Sequence, residues 1–414
     1  MKSEILSNLD NAQELERLYR KDKSSFRLAF LDLFPTQEKN SMLDFWKERL
    51  SYESENLNWG NRAEQLFVIT IAMMAGLIAK VPQLFNLSEE TFYSRNIGFI
   101  VFPLLTAYFI RKSKLANSKI IMAAVATLTG LIFINSLPTN EQSDTLVLSC
   151  IHLIILLWGI LGFAFVGDNI NSTEKRLEYL KYNGDLIVMT GLILISGGIM
   201  SAATVGLFHL IGYNIEAYYF KYVGIFGIAA APIVGTYLTQ SNPHLVGKVS
   251  PVIAKIFSPL VLVMLSIYLV AIAYSGHSPY TDRDSLLVFN GLLLGVMAII
   301  FFSISETRND GKKRFVVIIL LLLSVVTIMV NGIALSAILL RISQLGFTPN
   351  RSAVVGSNLL VLINLLMVST QLFKALFKNR AIALVKKSIA VFLPIYLIWA
   401  IIVTFLFPFI FGFK

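Results

Sequence analysis

Eleven runs of mostly apolar residues, each about long enough to cross a bilayer, fill the chain from Leu66 to Phe411. A hydrocarbon core about 30 Å thick takes roughly 20 apolar residues per helical span. Within it every main-chain donor and acceptor has to find its partner inside the protein. The fold class that follows is all-α: a polytopic transmembrane helix bundle of about eleven spans over residues 66–411, behind a small helical cytoplasmic region at residues 1–65. The spans are expected at Leu66–Phe85, Asn96–Ile110, Lys119–Asn135, Thr145–Val166, Asp185–Ile211, Tyr219–Leu238, Pro251–Tyr274, Ser285–Ile304, Phe315–Leu340, Ala353–Phe373 and Ser388–Phe411.

Composition agrees. The 414 residues are 56% hydrophobic and only 14% charged, which no soluble globular domain matches. The net charge of +10 sits in short loops and reads as positive-inside topology and attraction to anionic lipid, not as a nucleic-acid surface. Eighteen bases lie in loops on one side, in groups beginning at Arg111, Lys175, Lys248, Arg308 and Lys374. Six lie on the other: Arg95, Lys221, Arg283, Arg341, Arg351 and Lys414. That asymmetry puts the N-terminal region in the cytoplasm and Lys414 outside, in a cell inner membrane. The polar start of the chain has no signal-peptide pattern, so the first span is expected to direct insertion. The one cysteine, Cys150, allows no internal disulfide and no thiolate metal site, and its apolar run marks it as inert packing.

Three amphipathic helices are expected in the N-terminal region. Asn11 with Glu14 forms a capping pair for the first, whose face carries Leu15, Leu18 and Tyr19. The second shows Phe26, Phe30, Leu33 and Phe34 and ends at Pro35. Ser41 would cap the third, with Met42, Phe45, Trp46 and Arg49 on one side. Such faces are expected to pack on one another or on the span ends, to lie in the membrane interface, or to take a cytoplasmic protein partner.

Within the spans, Gly198, Ala202 and Gly206 fall four apart, as do Gly227, Ala231 and Gly235. Small residues at that spacing allow close backbone approach, so a tight hairpin is expected with Ala202 against Ala231. Pro103, Pro232, Pro259, Pro394 and Pro408 should kink their spans or free a carbonyl.

Ionisable and amide side chains in lipid are candidates for function. Lys80 would snorkel from the outer end of its span, Asp185 would cap the start of its span, and His152 and His209 would bond between helices. Asn290, Asn331, Asn358, Asn364 and Gln371 read as interhelical glue. As a functional alternative, Asn290, Asn331, Asn364 and His209 form a candidate polar path, with Arg341 and Arg351 as a clamp for an anionic headgroup or substrate at its outer mouth. No Asp or Glu occupies mid-span, which argues against an ion pump. No catalytic set is found. Glu89, Glu90 and Arg95 echo the paired-glutamate motif of intramembrane CAAX-type proteases, but the spacing departs from it and His209 lacks its asparagine partner. Ser275, His277 and Ser278 lie without a nucleophile elbow. No metal site and no cofactor motif is present, so an enzyme is the less favoured class.

The stretch Arg341-Ile342-Ser343-Gln344-Leu345-Gly346-Phe347-Thr348-Pro349-Asn350-Arg351 is a compact turn, with Gly346 suited to positive φ, Thr348-Pro349 to a tight turn and Asn350 to a left-handed conformation. With the seventh span and the Arg283–Asn290 segment, it resembles the bacterial multi-pass membrane family known as domain of unknown function 4153, over roughly Asp185 to Phe411. The loop Ser275–Asp282 departs from that pattern. The resemblance implies a helical bundle in a bacterial membrane and carries no activity. Two functional expectations remain: a permease-like or lipid-handling protein, or a non-transporting scaffold or signalling component whose N-terminal helices recruit a partner.

Overall fold

The computed structural model describes residues 2–9, 11–34, 41–52, 60–138, 140, 143–210, 213–243, 249–274, 283–306, 314–378 and 381–414. Pro35, the Ser275–Asp282 loop and the bases Lys248, Arg308, Lys312, Lys313 and Arg380 lie outside the described residues. Among the described residues every regular element is helical. The chain divides into two compact units, Met1–Trp59 and Gly60–Lys414.

The first unit contains α1 (Lys2–Leu6), α2 (Ala12–Lys21), α3 (Lys23–Leu33) and α4 (Ser41–Tyr52). Asn11 caps α2 as its sequence predicts, its side chain accepting from Glu14 N at 3.2 Å, and Asp22 caps α3 through Ser25 N at 3.0 Å. The helices close on a core of Leu15, Tyr19, Phe26, Phe30, Leu43, Trp46 and Leu50. Trp46 packs its ring 5.4 Å from Tyr19 and 5.1 Å from Phe26. In α4 the inward face is Leu43, Trp46 and Leu50, spaced three and four apart. This turns Phe45 outward, 57% exposed, against the expected Met42–Phe45–Trp46–Arg49 face. Arg49 lies over the Trp46 ring and pairs with Glu16 at 3.0 Å.

The second unit runs through α5 (Arg62–Ala79), α6 (Val81–Phe85), α7 (Glu89–Ser113), α8 (Asn117–Ser136), α9 (Asp144–Val166), α10 (Thr173–Leu210), α11 (Glu216–Ser241), α12 (Val249–Tyr274), α13 (Arg283–Glu306), α14 (Arg314–Leu345), α15 (Pro349–Phe377) and α16 (Ala383–Ile410). Among the described residues, eight of these are long and apolar enough to cross a membrane: α5, α8, α9, α10, α11, α14, α15 and α16. The other expected spans are represented by α7, which carries Glu89, Glu90, Arg95, Arg111 and Lys112, and by α12 and α13, with apolar stretches Ile256–Val270 and Asn290–Ile304. One core joins α5, α7, α9, α10 and α11; a second joins α12 to α16. Outward faces are apolar, as at Ile69 and Met73 of α5 and Ile187, Ile195 and Leu207 of α10, a pattern that suits lipid and not water.

Proline explains a recurring device. Proline has no N–H for the carbonyl four residues before it. In α16, Pro394 leaves Ala390 O without that donor, and Arg176 of α10 donates Nη1 to it at 3.1 Å. Pro408 likewise leaves Thr404 O, which accepts from Ser149 Oγ of α9 at 2.9 Å. The helix passes through a π-turn, Ile402–Leu406, just before Pro408, a widening that relieves the ring's clash with the preceding turn.

The tight α10–α11 hairpin is made elsewhere than expected. Helix α10 begins at Thr173, so Asp185 lies twelve residues inside it and caps nothing. Tyr182 Oη meets Thr236 Oγ1 at 2.8 Å, and a Cβ on Gly235 would come within 2.9 Å of Thr190 Oγ1. Ser201 Oγ lies 3.3 Å from Tyr219 Oη. In that register Ala202 stands opposite the start of α11. Ala231 is buried while Ala202 is exposed, and a Cβ on Gly198, Gly206 or Gly227 would meet nothing within 4 Å.

Two outcomes test these contacts. Ser149→Ala leaves the Thr404 carbonyl without its side-chain donor and should cost about 1–3 kcal/mol in detergent unfolding; in a Pro408→Ala background, where the main chain regains an N–H, most of that cost should vanish. In the first unit, the Arg20 hydrogen bond and the Arg49 charge hold the Glu16 carboxyl below its ordinary range. Its folded pKa is therefore below its unfolded one, and its stabilisation is full above the unfolded carboxylate range, about 4.3, and lost as pH falls through the folded value. Denaturant midpoints followed by Trp fluorescence from pH 7 to 3 should fall over that window, and less steeply in Glu16→Gln.

Candidate functional site

Helices α14 and α15 are antiparallel neighbours joined by the turn that the sequence singles out. Gly346 has φ +75° and follows the last residue of α14, where a left-handed residue closes a helix. Thr348 caps α15 by accepting from Arg351 N at 3.3 Å, with Pro349 in its first turn. Asn350 is not left-handed; it is the second residue of α15, since the cap comes one residue earlier than a left-handed Asn350 would allow.

The arginines do not form an open clamp. Arg351 Nη1 donates to Leu345 O at 2.9 Å and Gly346 O at 2.8 Å, satisfying carbonyls that the end of α14 leaves without helical partners. Arg341 is half-buried inside α14. A hollow of about 440 Å³ borders the turn, but Phe347, Thr348, Pro349, Phe411 and Lys414 are among its walls and neither arginine is.

The amides meet in the core behind the turn. Asn331 of α14 donates Nδ2 to Asn358 O of α15 at 3.1 Å. Asn358 in turn donates Nδ2 to Asn290 Oδ1 of α13 at 3.0 Å, so one amide relay ties three helices. Ser324 and Ser369 extend the α14–α15 seam at 2.7 Å. On the other face of α15, Asn364 Nδ2 donates to Tyr396 Oη at 3.1 Å and Ser357 Oγ accepts from Trp399 Nε1 at 3.0 Å. Both partners belong to α16. A Cβ on Gly356 would lie 2.0 Å from the Trp399 ring, so glycine is what lets that indole lie against α15.

These groups are shut away: Asn331 and Asn364 are 0% exposed and Asn358 4%. Their hydrogen bonds join neutral groups, so the seam supplies neither acid nor base. Two oxygens, Asn331 Oδ1 and Asn364 Oδ1, have no hydrogen-bond partner among the described residues, and each is an acceptor that a buried water would satisfy.

His209 stands apart from the seam. It is exposed at the end of α10 and lines a different cavity, with Ala202, Gly206, Tyr213 and Glu216. Thus the structure brings together Asn290 and Asn331 through Asn358, sets Asn364 on the opposite face of α15, and separates His209 from all of them. His152 bonds within its own helix, Nδ1 lying 2.9 Å from Leu148 O, and not between helices. Lys80 does not snorkel. It is buried, with Nζ 2.7 Å from Gln83 Oε1 and 3.8 Å from the centre of the Tyr222 ring.

Two polar groups escaped the sequence reading. Tyr396 reads as one more apolar-span aromatic; only its three-residue offset from Trp399 hints at a shared face. Arg95, assigned to an outer loop, is buried in α7 and donates to Ile134 O, Leu137 O and Pro138 O at 3.0, 2.9 and 3.1 Å. Beside it Asn96 and Asn135 exchange reciprocal amide bonds of 3.0 and 2.8 Å. Against family models, curated proteins and solved structures, nothing matches this chain.

Removing one member of a clip should cost more than removing both. Tyr396→Phe strands the Asn364 amide and should destabilise by about 1 kcal/mol or more. Adding Asn364→Leu should recover most of the loss, because the orphaned amide donor goes too; thermal unfolding of the two single variants and the double variant in detergent reads the coupling.

Proposed function

We propose that the chain is a non-transporting, multi-pass component of a bacterial inner membrane, whose N-terminal unit recruits a protein partner on the cytoplasmic side. The observation that carries this reading is the dryness of the amide seam. A permease would turn these amides to water, whereas a scaffold would use them between helices, and Asn331, Asn358 and Asn364 are enclosed in helix contacts and bonded to one another or to α16. The first unit supports the second half of the proposal: it completes a core of its own and still leaves Leu6, Leu31 and Phe45 outward. Eleven spans, with residues 1–65 inside and Lys414 outside, belong to the same proposal, and so does membership of the family that the Arg341–Arg351 turn resembles.

A permease-like or lipid-handling role is the second reading. It is favoured by the unpartnered oxygens of Asn331 and Asn364, which a hydrated conformation would supply with donors.

Thiol labelling separates the two. In a Cys150→Ser background, single cysteines at Asn290, Asn331, Asn364 and His209 are exposed to a small membrane-impermeant thiol reagent, with Lys112 as inside control and Arg351 as outside control. The expected result is labelling of Arg351→Cys from outside, of Lys112→Cys only from inside, and none at the three amides. Labelling at Asn331 or Asn364 from either side would establish a water path and reverse the preference between the readings.

A further inference from the structure

We propose that the open end of the α10–α11 hairpin binds the zwitterionic headgroup of an aminophospholipid, its ammonium on Glu216 and its phosphate on Tyr213 and His209. The proposal rests on the reading of these helices as membrane spans and is independent of transport.

The cavity there has a volume of about 460 Å³, within the range of small-molecule sites. Its origin is the splay of the two helices. They touch where Gly235 meets Thr190 and where Tyr182 meets Thr236, and they part toward Leu210. Ala202 and Gly206 floor the gap on α10; Phe220 closes it on α11. Phe220 opens the π-turn Phe220–Gly224. The inserted residue of a π-turn shifts the side chains that follow it around the axis.

The polar wall has a definite charge pattern. Glu216 contributes a carboxylate that makes no ion pair among the described residues. Lys80 bonds Gln83 and lies over the Tyr222 ring, and Lys221 lies 5.8 Å from the centre of the same ring; neither makes an ion pair among the described residues. Tyr213 and His209 offer an O–H and an N–H with no partner among the described residues. One anion beside neutral donors suits a ligand with an ammonium and a phosphate close together, and disfavours a purely anionic headgroup. An ammonium against a carboxylate with the Phe220 ring nearby also gains from the ring's face. Below the wall, Leu207 and Leu210 are exposed on the same helix end, giving acyl chains an apolar surface.

The test uses the full-length protein in nanodiscs of phosphatidylcholine doped with equal phosphatidylethanolamine and phosphatidylglycerol, with retained lipid read by native mass spectrometry; assembly into nanodiscs checks the membrane reading separately. Wild type should retain phosphatidylethanolamine over phosphatidylglycerol. Glu216→Gln should lose about tenfold of that preference, the equivalent of one charge-assisted hydrogen bond. Gly206→Leu should abolish it by filling the floor, where an added Cβ meets nothing within 4 Å. Displacement by soluble O-phosphoethanolamine would assign the site to the headgroup chemistry alone, and displacement only by a diacyl lipid would assign it to membrane lipid. Equal retention of both lipids by wild type, or an unchanged preference in Glu216→Gln and Gly206→Leu, overturns the proposal.

Discussion

The bundle depends on how main-chain carbonyls without helical partners are satisfied where water is scarce. A helix in lipid supplies its own hydrogen bonds except at its last turn and at each proline, and an unpaired carbonyl there is costly. Three arginines and one serine meet this need. Arg95 closes the end of α8 with three bonds, Arg351 closes α14 with two, Arg176 reaches Ala390, and Ser149 reaches Thr404. Each of these donors also ties its own helix to another one, Arg351 of α15 to the end of α14 among them. Guanidinium suits the task because its charge strengthens the bond and its fork engages several oxygens at once.

That arrangement leaves the amides to specify the centre. Between apolar helices in lipid, packing alone distinguishes weakly among registers. The Asn331–Asn358–Asn290 relay does distinguish, because a slip of α14 along α15 would separate donor from acceptor. Helix α15 is clipped on two faces, by α14 and α13 on one and by α16 on the other. It is the element whose movement would disturb most polar contacts, which fits a rigid part better than a moving gate.

Helices are legible in the sequence because apolar runs of this length admit little else, and so are local features whose chemistry lies within four residues: the Asn11 cap on α2 and the positive φ of Gly346 in the α14–α15 turn. What could not be read depends on partners far along the chain. Hydropathy begins a helix where the apolar run begins, so it starts α10 at Asp185 and misses the twelve helical residues before it. The matching spacing of small residues pairs Ala202 with Ala231, but spacing alone does not say where two helices are fastened, and here the contacts are at Tyr182–Thr236 and Thr190–Gly235. Arg95 counted as one outer charge because a loop base and a buried cap look alike until the end of α8 arrives beside it. Phe45 was turned inward because α4 offers two overlapping apolar faces, and only the fit of Trp46 against Tyr19 and Phe26 chooses between them.

The same register explains why the small residues of α10 do not serve as a packing seam. Small side chains permit close approach, but something else must bring the helices together. Here the drawing-in is done at the Tyr182–Thr236 bond and the Gly235–Thr190 contact, both well before Ala202 along α10. By the height of Gly206 the helices have diverged, and the absence of side-chain volume that would have allowed contact instead leaves space. A pair of larger residues there would fill the gap with protein. Glycine and alanine keep it open beneath Glu216 and His209, so the stripe and the cavity are one consequence of where the hairpin is fastened.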